Sequence, residues 1–412
     1  DGLKNQRIDT PLIKTNNTYE KIEWNNAFNK IFEKIKSTPS NKIAGLTGDL
    51  TNMETLFIVK EFFNKIIKSK NLDCRSENIY VNTNDRKNYI FNTPLNRIEE
   101  SDLIILVGAN PRFEATILNL KIRQSYIKNK TEIYSFGDVG ELTYPYKIIK
   151  NKTDIIREII EDKHDLSLAI KNSKKPIIIL GQSILKIKSS KYVFNEIKKY
   201  LKKNNKINED WQSLNVLSNN ASTVGSYDLD INNSENFDST ILSKIQNNEF
   251  DIIFLFGQDN LKFKKKNEFV VYIGSHGDNG AEIADLILPG SAYTEQDGYY
   301  TNLEGKIQKA YRASYPPGEA KEDWKIINEL SSFINGKNLF INKKDLDESM
   351  LQYLKLKKTK KFNDILDNQF QSEDILVDHF DYYYSNVIAR ASLTMTQCRN
   401  EKLKLNKTGT EG

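Results

Sequence analysis

The feature that most constrains this chain is a recurring unit: a short apolar run, a glycine-bearing turn, then a stretch with helical spacing. That alternation is the signature of a βαβ layout, in which parallel strands are covered by helices. Trp24, Ala27, Phe28, Ile31, Phe32 and Ile35 predict a helix by their spacing. Lys42–Leu46 predicts a strand that runs into the turn Gly45–Gly48. Thr51-Asn52-Met53-Glu54 then has the form of a capping box, Thr51 accepting from the Glu54 amide and Glu54 reaching back. The helix it opens presents Leu56, Val59, Phe63, Ile66 and Ile67 on one face. The unit repeats with a strand at Asp102–Val107, a turn at Gly108–Arg112, a helix at Phe113–Tyr126 and a strand at Glu132–Phe136. Beyond a polar break near Asn151, Pro176–Leu180 and Asp251–Phe256 are expected as strands of a second sheet, with Val270–Ile273 beside them.

A chain of 412 residues exceeds one ordinary domain. The pattern divides it into a first α/β subdomain (1–150), a second (151–336) carrying a Gly-rich segment around Ala284–Gly290, and a C-terminal extension with a docking tail (337–412). The Asn-rich stretch Asn204–Asn236 is expected to be part loop, and regular periodicity fades after Lys337. Ser385–Met395 has the apolar spacing of a short docking helix.

Composition excludes several classes. No apolar run approaches the roughly 20 residues that cross a bilayer, so no direct membrane span is expected. The net charge of +5 is the difference between 60 basic and 55 acidic residues. Its densest basic run, Lys355–Lys361, reads as a linker, because a nucleic-acid surface would interleave basic residues with aromatics on one element. Nucleic acid is therefore not an expected partner. Cys74 and Cys398 stand too far apart to suggest a disulfide framework, which points to a reducing compartment. Because the chain opens on Asp1, it reads as a processed product or as part of a longer polypeptide.

Most standard centres of chemistry are missing. The strand-to-helix turns Gly45–Gly48, Gly108–Pro111 and Gly181–Ser183 lack both the three-glycine turn that cradles a pyrophosphate and a P-loop lysine. His164, His276 and His379 have no metal-binding spacing. Two cysteines fall short of the four thiolates an iron–sulfur cluster takes. No catalytic residue and no metal ligand is assigned on these grounds. Asn110 and Pro111 do sit at the carboxyl end of a strand, where open α/β sheets place ligands. The plainer reading is preferred here: Asn110 starts a turn and Pro111 opens the next helix. Glu295 and Glu304, in the Gly-rich stretch Gly277–Lys306, could orient a ligand, but carboxylates in such loops more often accept from backbone amides.

Gly108-x-Asn110-Pro111-x-x-Glu114 resembles a motif of the molybdopterin oxidoreductase superfamily. So do Ala284-Asp285-x-x-Leu288-Pro289, followed by Glu295, Gly298, Asn302, Glu304-Gly305 and Gln308, and Pro317–Ala320 with Asp323–Ile327. Asp1-Gly2-Leu3-Lys4-x-Gln6-Arg7, Asn110–Ala115 and Arg390-Ala391-Ser392-x-Thr394-Met395 are similar to one branch, the large iron–sulfur subunit of respiratory complex I in its mitochondrial form. The likeness covers essentially the whole chain. It implies Rossmann-like, doubly wound α/β subdomains of the formate dehydrogenase/DMSO reductase fold. Asn110, Glu114, Glu295, Asn302 and Glu304 would be remnants of a cofactor pocket.

In that branch the domain has lost its cofactor and serves as a scaffold. The resemblance therefore implies a non-catalytic part of the NADH dehydrogenase module, on the matrix-facing peripheral arm of a mitochondrial inner-membrane complex. Electrons would pass from NADH to ubiquinone through clusters on neighbouring chains. No cofactor is expected on this chain. Iron–sulfur clusters would belong to a ferredoxin-like half preceding Asp1 or to a separate chain. The other implied partners are the flavin/NADH-binding subunit and quinone-module subunits. Departures support a dead pocket: Tyr299 replaces a common Thr, and Lys306 replaces an Arg, losing a bidentate anion clamp. Cys74 lies near the place where molybdenum relatives carry a ligand, without a secure correspondence. The competing readings are a formate dehydrogenase-type molybdopterin enzyme with Cys74 on the metal, and a freestanding nucleotide-binding module.

Overall fold

A computed structural model describes residues 1–232, 240–357 and 369–408, with side chains described through Lys404. Parts of two expected segments, 233–236 of the Asn-rich stretch and 358–361 of the Lys-rich run, lie outside the described residues.

The strands are β1 (Leu12–Thr15), β2 (Thr18–Lys21), β3 (Ile43–Thr47), β4 (Leu72–Asp73), β5 (Leu103–Val107), β6 (Glu132–Phe136) and β7 (Lys147–Ile149). They continue with β8 (Pro176–Leu180), β9 (Leu214–Val216), β10 (Ile252–Phe256), β11 (Phe269–Gly274), β12 (Leu286–Pro289) and the hairpin β13 (Gly298–Thr301) and β14 (Ile307–Ala310). One sheet has the order β2-β1-β12-β11-β10-β3-β4 and is parallel from β12 to β4, with β1 and β2 antiparallel at its edge. The other, β7-β6-β5-β8-β9, is wholly parallel.

The expected strands form, but they sort differently from the expectation. Pro176–Leu180 pairs with β5, whereas Ile252–Phe256 inserts between β3 and β11. The two therefore do not share a second sheet. The boundary drawn at residue 150 falls among the strands of the five-stranded sheet, which come from 103–216. The seven-stranded sheet takes its strands from 12–73 and again from 252–289. Apolar runs announce buried parallel strands, but every such run is equally apolar and none encodes its neighbour.

The central strands are buried on both faces, and successive side chains alternate between two cores with the two-residue period of a strand. Ile43, Phe254 and Phe256 face a core with Leu56, Phe62 and Phe63 of the helix region after β3, and with Ile326, Ile327 and Leu330 of the helix Asp323–Asn335. Ala44, Leu46, Ile253 and Leu255 face the opposite core with Tyr272 and Leu242. Gly45 is needed for this packing, since a Cβ there would lie 2.6 Å from the Phe63 ring. That ring in turn sits edge-on to Phe254 and Phe256, with centroids 6.2 Å apart in each case.

Helix α1 spans Trp24–Ser37 and α2 spans Met53–Phe62. The capping box expected at Thr51 and Glu54 does not form. Asn52 caps α2 by accepting from the Thr55 amide (2.9 Å), and Thr51 Oγ1 donates to the Phe256 carbonyl (3.2 Å). Glu54, fully buried, accepts from the Tyr299 amide (2.7 Å) and pairs with Lys343, so it ties the β13–β14 hairpin and the helix Lys343–Leu356 to α2. Tertiary contacts won over the local cap. The helix predicted at Phe113–Tyr126 is two helices, α3 (Pro111–Glu114) and α4 (Thr116–Asn129), broken where Ala115 leaves the helical region at φ −153°. The Asn-rich stretch contains β9 and a helix at Thr223–Asp228, and the 14-residue helix Lys343–Leu356 lies where periodicity fades. Among the described residues, no helix is long and apolar enough to cross a membrane.

Candidate functional site

Parallel α/β sheets present ligands at the carboxyl ends of their strands, and here those ends are closed against one another. After β3, Gly48 approaches the loop after β10 so closely that a Cβ would lie 1.6 Å from the Gly257 carbonyl oxygen. The segment after β9 reaches across from the other sheet. Asn220 Nδ2 donates to Asp49 (2.7 Å), Ser222 Oγ donates to the Gly48 carbonyl (2.8 Å), and Asn219 Nδ2 donates to Glu114 (3.1 Å).

The predicted pocket residues are engaged by the chain itself. Asn110 accepts from the Arg112 amide with Pro111 at the first helical position, as the plainer reading has it, and its Nδ2 donates to the Val139 carbonyl (2.9 Å). Glu114 accepts from the Asn110 amide (2.5 Å). Glu295 pairs with Arg7 (2.7 Å) and accepts from the Ala292 amide (3.0 Å). Glu304 accepts from the Leu95 amide (2.8 Å), and Asn302 from the Lys306 amide (2.8 Å). The structure brings Asn110 and Glu114 together. It puts Glu295 beside Arg7, and Asn302 and Glu304 in the β13–β14 turn. They do not converge on one space.

The tail closes the edge of the seven-stranded sheet. Val387 and Ile388 line a cavity of about 30 Å³ there, together with Asp259, Ser291, Gln296 and Asp323. Asn386 caps the short helix Val387–Arg390, and Arg390 Nε donates to Asp278 (2.7 Å). The next helix, Leu393–Thr408, is capped from the far end of the chain: Asp1 accepts from the Leu393 (2.8 Å) and Thr394 (3.2 Å) amides and from Ser392 Oγ (2.6 Å). His276 is buried beneath this contact. Its Nε2 lies 3.1 Å from the Gly2 carbonyl and its Nδ1 2.8 Å from Ser275 Oγ. A carbonyl only accepts, so the ring proton belongs on Nε2. Burial, with Arg7 nearby, lowers His276 to about 4 and keeps it neutral.

Three carboxyl groups gather at this edge, of which only Asp323 belongs to a motif quoted from the sequence. Burial pushes Asp49 up to about 6 and Asp259 and Asp323 up to about 7, with Arg390 opposing the shift at Asp49 and Asp259. A signal was available for two of them: Asp49 and Asp259 lie one and two residues beyond the glycine that directly follows a buried strand.

The molybdopterin group that the fold family implies does not fit these residues. A ligand-sized pocket takes about 300–1,000 Å³, at least ten times the volume at this edge. Among the described residues, no group of three or more His, Cys, Asp or Glu side chains could hold a metal. Cys74 lies at the end of β4, where burial and the adjacent Asp73 push its thiol up, away from the thiolate a metal requires. A roomier groove of about 590 Å³ lies elsewhere, against the helix Lys343–Leu356. There Arg86 is held by both oxygens of Asp228 (2.8 and 2.7 Å) and Lys357 by the Tyr227 and Asp228 carbonyls (2.9 Å each).

Two sheets, one wholly and one mainly parallel, meeting at their carboxyl ends, with that edge filled by the chain's own segments, define a doubly wound α/β protein of the cofactor-binding type whose crevice has closed. The chain belongs to the molybdopterin oxidoreductase family, whose model matches residues 7–333. It is 36% identical over 423 aligned positions to the NADH-ubiquinone oxidoreductase 75 kDa subunit of Reclinomonas americana, covering 97% of this chain and 61% of that one. It is 32% identical over 421 to the mitochondrial NADH-ubiquinone oxidoreductase 78 kDa subunit of Candida albicans, covering 97% and 57%. The chain thus spans about three fifths of the length of these relatives. In fold it matches a chain of the formyltransferase/hydrolase complex of Methylorubrum extorquens, with a TM-score of 0.56 at 11% identity over 79% of this chain and 98% of that one.

Proposed function

We propose that this chain is the C-terminal, molybdopterin-oxidoreductase-like half of the large subunit of respiratory complex I, and that it acts as a non-catalytic scaffold. The observation that carries the reading is a closed carboxyl edge in a chain that aligns nearly end to end with such subunits. Its physical task is to hold neighbours so that clusters on other chains, or on a preceding ferredoxin-like half, stay within electron-transfer distance. The chain itself binds no metal or organic cofactor. The partners are the cluster-bearing half, the flavin/NADH-binding subunit and quinone-module subunits. The location is the matrix-facing arm of a mitochondrial inner-membrane complex.

Mass spectrometry of co-purifying chains tests the partners, and elemental analysis of the isolated, metal-replete chain tests the scaffold role. Stoichiometric molybdenum or iron on this chain overturns it. Cys74→Ala should leave assembly and NADH oxidation by the complex unchanged. Loss of activity in a fully assembled complex would reinstate Cys74 as a ligand.

A further inference from the structure

The small cavity at the carboxyl edge of the seven-stranded sheet is polar in a specific way. Ser291 and Gln296 line it, are 6% and 3% exposed, and keep side-chain oxygens, Oγ and Oε1, without a hydrogen-bond partner among the described protein atoms. Asp323, 8% exposed, accepts from the Ser291 amide (3.2 Å) and lies 3.5 Å from Gln296 Nε2, which leaves lone pairs on both carboxylate oxygens. Asp259 accepts from the Tyr272 hydroxyl (2.6 Å). Two glycines keep the space polar: a Cβ on Gly290 would lie 2.3 Å from Asp323 Oδ1, and one on Gly274 2.2 Å from the Tyr272 hydroxyl. Val387 and Ile388 of the tail form the apolar wall.

A buried hydroxyl or amide oxygen left unpaired is destabilising, so two in one cavity call for a guest. A water needs about 10–15 Å³ and two to four polar partners. The volume of about 30 Å³ has room for two and lies far below the roughly 300–1,000 Å³ of a typical organic-ligand pocket. We propose that this cavity is a built site for two internal water molecules that bridge Ser291 Oγ, Gln296 Oε1 and the Asp259 and Asp323 carboxyl groups beneath the tail. A water can donate to the two unpaired oxygens and accept from a protonated carboxyl. A monovalent cation fits the charges less well, because Arg390 and Arg7 already act on Asp259 and Asp323. The upward shift of both carboxyls keeps part of the cluster neutral, which also favours a neutral guest.

High-resolution crystal structures of the intact chain, with and without a rubidium chloride soak, test the site. The expected result is two density peaks within hydrogen-bond distance of Ser291 Oγ and Gln296 Oε1, with no rubidium anomalous signal. The Ser291→Ala/Gln296→Met double variant should lose at least one peak. A featureless cavity in the wild type, or a rubidium peak inside it, overturns the proposal. So does a double variant that folds and retains both peaks, while the wild-type map decides alone if that variant does not fold.

Discussion

Replacing Arg75 by methionine removes the guanidinium that answers one of the most deeply buried charges in the protein. The Asp73 and Arg75 side chains are 0% and 1% exposed. Arg75 Nε and Nη2 grip both Asp73 oxygens at 2.6–3.1 Å, and Nη1 donates to the Ile79 carbonyl (3.0 Å). This clamp fixes the segment that leaves β4 of the seven-stranded sheet and enters the core of the other, where the Tyr80 amide pairs with the Leu185 carbonyl (2.9 Å). Methionine fills much of the same volume, so packing changes little. Among the described residues, what remains is a buried carboxylate served by the Cys74 (2.9 Å) and Arg75 (3.1 Å) amides. Breaking a buried pair from one side costs about 3–5 kcal/mol. Adding Asp73→Asn removes the orphaned charge, so the double variant should be more stable than Arg75→Met alone. Urea unfolding, followed by circular dichroism and by tryptophan fluorescence, measures both variants. Coincident transitions are required before free energies are compared. A loss below about 1 kcal/mol for Arg75→Met, the scale of an exposed pair, would refute the reasoning. So would a double variant no more stable than the single.

Asp323 rises from 3.8 to about 7 in the folded chain, so its stabilising contribution is complete below the unfolded value and is lost as pH rises through 7. The melting temperature of Asp323→Asn should therefore decline less than that of the wild type between pH 5 and 8. His276 behaves oppositely: lowered from 6.5 to about 4, it contributes stability above 6.5 that is lost as pH falls through 4, and His276→Gln should flatten that acid limb. Gly48→Ala drives a methyl group into the Gly257 carbonyl and should cost more than the roughly 1–3 kcal/mol typical of overpacking. A Gly48→Ala chain that melts with the wild type would show that the β3–β10 edge is looser than described.

Local signals located the elements well because each rests on nearby residues. The run Leu103–Val107 is a strand buried on both faces, and Asn110-Pro111 is the cap and first turn of α3. The capping box failed because Glu54 answers Lys343 and Tyr299, residues far along the chain that no local pattern reveals. The same limit applied to Glu114, Glu295, Asn302 and Glu304. Their motif was legible and amide acceptance by Glu295 and Glu304 was the expected reading, yet distant partners such as Leu95 and Arg7 emerged only from the folded geometry.

The sequence by itself determined the α/β class, the strand-then-helix units and the family, because residue period and motif spacing are properties of the chain read in order. Tertiary structure alone decided that β10 enters between β3 and β11, that Asp49, Asp259 and Asp323 share an edge, and that Asp1 caps a helix beginning at Leu393. Those contacts depend on how distant segments pack, and packing is settled by volume and hydrogen-bond satisfaction across the whole molecule.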